Sequence, residues 1–179
     1  MMTFSLLRRR AGGYGCACAL AASAMLLSGA ALAQAVPTTF GTVIGNGLLC
    51  RDQTANFYYY DYLLKAFGPA YKHDGGAFWF KTEGANLWGT PVSEVMVSDD
   101  TSTYIFVGAV AEATPEELEK AIIAQVGVHY ARIDTSAFPV REAKPASRIV
   151  YFDTKSKIYC AKYKPLPPVQ PPPVRQRLK

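Results

Sequence analysis

Four cysteines are the residues of this 179-residue chain whose type and spacing point most directly to chemistry. Cys16 and Cys18 lie within the N-terminal residues 1–33, and their spacing suits no common zinc motif. Cys50 and Cys160 lie in the remainder of the chain, outside any Cys-x-x-Cys motif and away from both histidines. A redox-active or nucleophilic pair is therefore disfavoured. We predict a structural disulfide between Cys50 and Cys160 in an oxidising compartment.

The two histidines, His73 and His129, offer little support for catalysis. His73 lies in a predicted exposed turn and His129 opens a predicted strand, so structural or surface roles are favoured for both. Two histidines without clustered partners fall short of a tetrahedral zinc set. We predict no catalytic residue, no metal ligand and no cofactor.

Adjacent carboxylates occur at Asp99-Asp100 and at Glu116-Glu117. Glycoside hydrolysis needs carboxylates that face each other across a cleft. The first pair is typical of a turn, and the second of a helix start, where negative charge meets the helix dipole. An enzyme acting on cell-wall material is thus the least favoured hypothesis.

Aromatic side chains are dense, with five aromatics among residues 57–62. One helical stripe cannot bury them all, and Tyr is common at interfaces because it joins a large apolar body to a polar tip. Core packing of most of these side chains is the alternative. The candidate binding face consists of Tyr58, Tyr59, Tyr62, Trp79 and Trp88.

The N-terminus has the three parts of a secretory signal peptide. Residues 1–10 end in three arginines, residues 17–32 are apolar, and Ala31-Leu32-Ala33 provides a small-x-small cleavage site. We predict a signal peptide at 1–33, cleaved after Ala33 or Ala35, and a periplasmic or secreted product. A retained membrane anchor is the alternative, because the apolar run approaches spanning length.

Charge is divided unevenly along the rest of the chain. Residues 34–140 hold 6 basic and 12 acidic residues, whereas residues 141–179 hold 10 basic and 2 acidic ones. The Pro-rich segment 165–179 favours polyproline II and predicts a disordered basic tail. Any membrane contact is expected through this tail. Residues 34–164 are expected to form a single α+β domain.

Local patterns predict two helices. Asp52 is a candidate N-cap for a helix over 52–67, which Gly68-Pro69 ends. Thr114, Pro115 and Glu117 have capping-box spacing before a helix over 115–126. Residues 36–47 indicate a leader or a short edge strand, 138–145 a loop, and 154–156 a hairpin turn. The predicted strands are 77–82, 91–98, 103–111, 128–134, 148–153 and 157–163.

This order of elements predicts an α+β fold with antiparallel sheet and two helices, and it is also compatible with two αβββ repeats. An offset of 59 residues aligns the two helix exits. It places Leu63, Leu64, Phe67, Gly68 and Tyr71 on Ile122, Ile123, Val126, Gly127 and Tyr130.

The first half of this pattern resembles a known module. Residues 63–69, Leu-Leu-Lys-Ala-Phe-Gly-Pro, are followed by Gly75-Gly76 and by Phe78-Trp79-Phe80. This is similar to the helix, Gly-Pro turn and aromatic strand of small αβββ modules. Such modules occur singly in the SmpA/OmlA lipoproteins and in tandem in the β-lactamase inhibitor protein family. The resemblance implies architecture only, and it assigns no functional residue.

The sequence as a whole favours an exported, non-enzymatic protein-binding module of the inhibitor, immunity or envelope-accessory type. The expected partner is another envelope or secreted protein, and nucleic acid is disfavoured for an exported chain. A carrier of a small apolar ligand or lipid is the alternative.

Overall fold

The computed structural model describes residues 35–52 and 55–165. The predicted signal peptide and residues 166–179 of the predicted tail lie outside the described residues. Within the described ranges the chain forms three helices and nine strands. They are α1 (Phe40–Leu48), α2 (Asn56–Phe67), β1 (Lys72–Asp74), β2 (Ala77–Lys81), β3 (Asn86–Leu87), β4 (Thr90–Ser98), β5 (Tyr104–Ala111), α3 (Pro115–Val126), β6 (Ala131–Arg132), β7 (Arg141–Ala143), β8 (Ser147–Phe152) and β9 (Lys155–Tyr163).

The strands form one antiparallel sheet, in the order β1-β2-β4-β5-β9-β8-β7-β6, with β3 paired to β4. The predicted α+β class with antiparallel sheet is therefore confirmed. The halves β2-β4-β5 and β9-β8-β7 meet at the β5–β9 pair. The two helices that precede these halves, α2 and α3, have 12 residues each. A repeat at the level of sequence stays a prediction.

All three helices pack on the same face of the sheet. Residues directly opposite each other in an antiparallel ladder share a face. One such row runs through Phe78, Val97, Val107, Cys160 and Ser147. Tyr60 of α2 contacts the Phe78 ring at 4.8 Å, and the Ser147 hydroxyl donates to the Leu48 carbonyl of α1. Helix α3 contacts the same face through Arg141, which is paired with Glu119 at 2.5 Å.

Helix α3 matches its predicted range because its end signals are local. The Thr114 hydroxyl accepts from the Glu117 amide, and the Glu117 carboxylate accepts from the Thr114 amide. Gly127 ends the helix in the left-handed conformation, with φ 67°. The prediction for α2 was wrong at its start. The helix begins at Asn56 after an extended Ala55, and no side chain caps it, so Asp52 is not the N-cap.

Helix α1 replaces the leader or edge strand expected for residues 36–47. Phe40, Ile44 and Leu48 recur every four residues, and all three side chains are buried. Burial of this stripe outweighs the low helix propensity of the glycines. Gly47 also allows close packing, because a Cβ atom there would lie 2.7 Å from the Tyr59 hydroxyl.

The strand predictions were right for the central strands and wrong at one edge. The predicted strand over 128–134 is only the two-residue β6, and β7 lies within the predicted loop at 138–145. Pairing with β8 explains β7, and such a tertiary partner leaves no local signal. The turn between β8 and β9 consists of Asp153 and Thr154, one residue earlier than predicted, since Phe152 pairs with Lys155.

The predicted disulfide is present. Cys50 and Cys160 are joined with an S–S distance of 2.00 Å and a Cα–Cα distance of 5.4 Å. The bond links the chain just after α1 to the central strand β9. Both cysteines belong to the main hydrophobic core between the helices and the sheet.

Candidate binding surface on the open sheet face

The predicted aromatic face is divided among different parts of the fold. Tyr59 is 3% exposed and belongs to the core, whereas Tyr58 on the same helix is 44% exposed. Tyr62 is partly buried, and its hydroxyl lies 3.1 Å from the Thr39 hydroxyl. Trp88 packs beside Gly45 of α1. These four side chains do not share a surface with Trp79, and a binding role for any of them stays a prediction.

Trp79 lies on the sheet face opposite the helices, which we call the open face. Its neighbours Phe78 and Phe80 both contact Tyr60 of α2, so strand alternation turns Trp79 the other way. The row of direct cross-strand neighbours through Trp79 consists of Lys72, Trp79, Met96, Gly108, Tyr159, Arg148 and Glu142. The adjacent row consists of Lys81, Glu94, Val110, Lys157 and Val150.

Four cations along the open face and its rim are each paired with a carboxylate. Such exposed pairs add little stability, but they neutralise the charge of this surface. The pairs are Lys72–Asp74 at 3.1 Å, Arg148–Glu142 at 2.6 Å, Lys155–Glu112 at 2.5 Å, and Lys81–Glu94.

Glu94 is the most embedded carboxylate of this surface. Its Oε1 accepts from the Tyr71 hydroxyl at 2.9 Å and from Lys81, whose ammonium also lies 4.5 Å from the Tyr71 ring centre. Burial opposes ionisation of Glu94, but the hydrogen bonds from Lys81 and Tyr71 outweigh it and lower the pKa of the carboxyl. Burial raises the pKa of Tyr71, and the hydrogen bond to the Glu94 carboxylate raises it further. Glu94 is therefore a charged acceptor that joins Lys81 to Tyr71.

Lys157 is the exception among the cations. Its ammonium lies 4.3 Å from the Phe152 ring centre and 5.3 Å from the Trp79 ring centre. In the part of the chain that the structure describes, no carboxylate lies within ion-pair distance of it, and no oxygen accepts a hydrogen bond from it. Burial lowers the pKa of Lys157, partly offset by the charge of Glu94. The ammonium is thus partly desolvated, and its direct contacts are with the aromatic faces of Phe152 and Trp79.

A depression of about 390 Å³ opens beside Lys157. Its lining combines apolar and cationic side chains, namely Met96, Tyr104, Phe106, Arg148, Lys157, Tyr159 and Ala161. Gly108 lies beneath it, and a Cβ atom there would meet the Met96 Cγ at 3.0 Å and the Tyr159 Cβ at 3.4 Å. The missing side chain lets Met96 and Tyr159 approach each other across β5.

Arg148 completes the depression on its β8 side. Its Nε donates to Glu142 at 2.6 Å. Hydrogen bonds to Glu142 and to Tyr159 raise the pKa of the guanidinium. Because a guanidinium has five N–H donors, Arg148 keeps donors for a ligand.

A second cleft, of about 460 Å³, lies at the start of α2 and includes His73 and Asp99. His73 stacks on Phe78, and its Nε2 lies 2.5 Å from Asp99 Oδ2. Asp99 Oδ1 accepts from the Thr101 amide at 2.8 Å and from the Thr101 hydroxyl at 2.7 Å. These hydrogen bonds, with that of His73 the largest influence, hold the pKa of Asp99 far below its usual range. The pair joins the β1–β2 hairpin to the β4–β5 turn.

Arg141 forms the most buried charge cluster of the described residues. It is 5% exposed and binds Glu116 and Glu119 on α3. The Tyr151 hydroxyl donates to Glu116 at 2.6 Å. Among residues 35–52 and 55–165, no three His, Cys, Asp or Glu side chains are placed to hold a metal ion. No helix of those same ranges is long and apolar enough to cross a membrane.

Comparison of the chain with protein-family models, with curated proteins and with solved structures finds no match. The resemblance to αβββ modules therefore stays a prediction.

The sequence-based reasoning missed Lys157, Arg148 and Tyr159. The signal for Lys157 and Tyr159 is the alternation of β9, in which positions 155, 157, 159 and 163 are Lys, Lys, Tyr and Tyr, and Arg148 alternates with the buried Ser147 and Ile149 on β8. Period-two alternation of cationic and aromatic residues with buried ones marks a face turned away from the core.

Proposed function

We propose that this protein is an exported, non-enzymatic protein-binding module whose contact surface is the open sheet face. The observation that carries this proposal is Lys157, a partly buried cation without a carboxylate partner among the described residues, beside a depression lined with aromatic side chains. Aromatic residues and Arg are enriched at protein interfaces, and their contacts supply much of the binding energy.

The charge pattern favours a protein over a polyanion. Nucleic acids and anionic polymers bind surfaces that carry many uncompensated cations. Here the carboxylates Asp74, Glu94, Glu112 and Glu142 balance their cationic neighbours. A partner with a small number of acidic groups suits such a surface better.

Export to the periplasm is part of the proposal. The signal-peptide pattern at residues 1–33 supports it, and so does the Cys50–Cys160 disulfide, because disulfides persist in oxidising compartments. N-terminal sequencing of the protein from the exported fraction should give a chain that starts at Gln34 or Val36. A chain that keeps residues 1–33 contradicts export with cleavage.

Affinity capture tests the binding surface. The immobilised protein is exposed to envelope and secreted proteins of its source cell, next to an open-face variant, Tyr104→Ala with Tyr159→Ala. A helix-side control carries Phe57→Ala with Leu64→Ala, two exposed positions of α2. We expect one envelope protein to bind the wild type and the control and to be lost from the open-face variant, with near-UV spectra reporting intact folding. Equal capture by all three proteins, or none by the wild type, contradicts the proposal.

A carrier of a small apolar ligand is the second candidate, because a volume of about 390 Å³ falls within the range of ligand pockets. It predicts that a fatty acid or a similar apolar molecule co-purifies with the protein and raises its melting temperature. Mass spectrometry of the organic extract distinguishes the two candidates.

A further inference from the structure

We propose that Lys157 and Arg148 form a carboxylate-recognition site, which accepts an acidic residue of a protein partner while an adjacent apolar side chain fills the depression. This inference rests on the proposed function and names the chemistry that the open face selects.

The Lys157 ammonium is partly desolvated and has no carboxylate partner among the described residues. Its three N–H donors have no oxygen acceptor in the described part of the chain, and the rings of Trp79 and Phe152 take the place of water on two sides. A charge-assisted hydrogen bond to a carboxylate is roughly twice as strong as a neutral one. An incoming carboxylate therefore gains more here than at an exposed, hydrated lysine.

Arg148 is the second cation of the depression. It lines the same depression as Lys157 and lies beside Tyr159 in the cross-strand row. Glu142 accepts a hydrogen bond from the Arg148 Nε at 2.6 Å. Donors that Glu142 does not use supply the second contact to a carboxylate that Lys157 binds.

The floor of the depression is apolar. Met96 is 5% exposed although no helix covers it, and Phe106 and Ala161 lie beside it in the depression. A ligand therefore needs an apolar body next to its carboxylate. One unpaired ammonium and one partly engaged guanidinium match a single carboxylate rather than a chain of phosphates.

The probe for this site is N-acetyl-L-phenylalanine, which joins an aromatic ring to a carboxylate. Its amide, N-acetyl-L-phenylalaninamide, keeps the ring without the charge. Each is titrated into the ¹⁵N-labelled protein at pH 7, and amide shifts are followed for the residues around the depression. We expect the acid to bind at least about tenfold more tightly than the amide, the effect of a difference of about 1.4 kcal/mol.

Two variants locate the effect. Lys157→Met keeps the apolar stem and removes the ammonium, so the acid should lose its advantage over the amide. Lys155→Met is the matched control, because Lys155 lies two residues away on the same face. In this variant the acid should still bind more tightly than the amide. Overlay of the amide spectra shows whether each variant is folded.

The outcomes separate this inference from the proposed function. Equal binding of acid and amide, no binding of either, or an advantage that survives Lys157→Met overturns the carboxylate site. Tighter binding of a dT₁₀ oligonucleotide than of the acid at the same residues also overturns it. If one of these results is found but affinity capture still depends on Tyr104 and Tyr159, only the carboxylate-recognition site is rejected. The proposed protein-binding function is then retained.

Discussion

The Lys157 ammonium lies 5.3 Å from the centre of the Trp79 ring although strands β4 and β5 separate the two residues. The two side chains lean toward each other from β9 and β2. Val110, the cross-strand neighbour of Lys157 on β5, is only 2% exposed. The Lys157 side chain thus helps to shield the open face from solvent, and it also carries the one charge of that face without a carboxylate partner among the described residues.

The Lys157–Trp79 contact makes a prediction about titration. Burial lowers the pKa of Lys157 below the ordinary 10.5. Trp79→Ala opens the ammonium to water, so the pKa of Lys157 should rise toward that value. Side-chain NMR of labelled lysine as a function of pH measures the change. Trp88→Ala, a tryptophan beside α1, is the control and should leave the titration unchanged. An unchanged pKa in Trp79→Ala contradicts the role given to the indole.

The disulfide makes a prediction about stability. A bond that closes a loop of about 110 residues should contribute about 2–5 kcal/mol, chiefly by restricting the unfolded chain. Urea unfolding in the presence of a reductant should show this loss. The double variant Cys50→Ser/Cys160→Ser should have the lower stability in either condition, with no response to the reductant. Equal midpoints for oxidised and reduced wild type are incompatible with a stabilising bond.

The glycines of α1 make a paired prediction. A Cβ atom at Gly47 would lie 2.7 Å from the Tyr59 hydroxyl and 2.8 Å from its ring carbon, whereas nothing lies within 4 Å at Gly41. Gly47→Ala should cost about 1–3 kcal/mol because the ring and the helix must move apart. Gly41→Ala should be neutral or stabilising by up to about 1 kcal/mol. Denaturant unfolding compares them, and equal effects contradict the docking of α1 against α2.

The His73–Asp99 pair makes a prediction about acid stability. Asp99 has a lower pKa in the folded protein than its ordinary value, so its contribution is present above about pH 4 and is lost as pH falls toward the folded pKa. Asp99→Asn should therefore be less stable than the wild type at pH 7, and the difference should shrink below pH 4. Urea midpoints from pH 7 to pH 2 measure it. A constant difference across this range contradicts the linkage.

Local signals explain what the sequence predicted well. The capping residue, the first-turn proline and the terminal glycine of helix α3 all lie at its two ends. Its range, Pro115–Val126, can therefore be predicted from local sequence. Two cysteines in a chain that is predicted to be exported are enough to predict their bond. Helix α1 has weaker local signals, since its glycines favour other conformations and only the spacing of Phe40, Ile44 and Leu48 indicates a buried stripe.

The candidate site depends on contacts that no local pattern contains. Alternation along β9 tells which side chains leave the core, but not that Lys157 meets Trp79, because that contact requires the strand order β2-β4-β5-β9. The density of aromatic residues predicts a binding face that includes part of α2, but Tyr59 of that helix is buried in the core. A binding role for the five predicted aromatics stays a prediction, because packing distributes them over different parts of the fold.

Photo-crosslinking in the source cell tests the central claim most directly. Tyr104 on the open face, or Phe57 on the helix side, is replaced by p-benzoylphenylalanine, and adducts are resolved by mass. Both positions are exposed, at 39% and 71%, so reactivity alone does not separate them. We predict one discrete protein adduct from position 104 and none from position 57. An adduct from position 57 alone, or from neither position, would contradict a partner bound on the open sheet face.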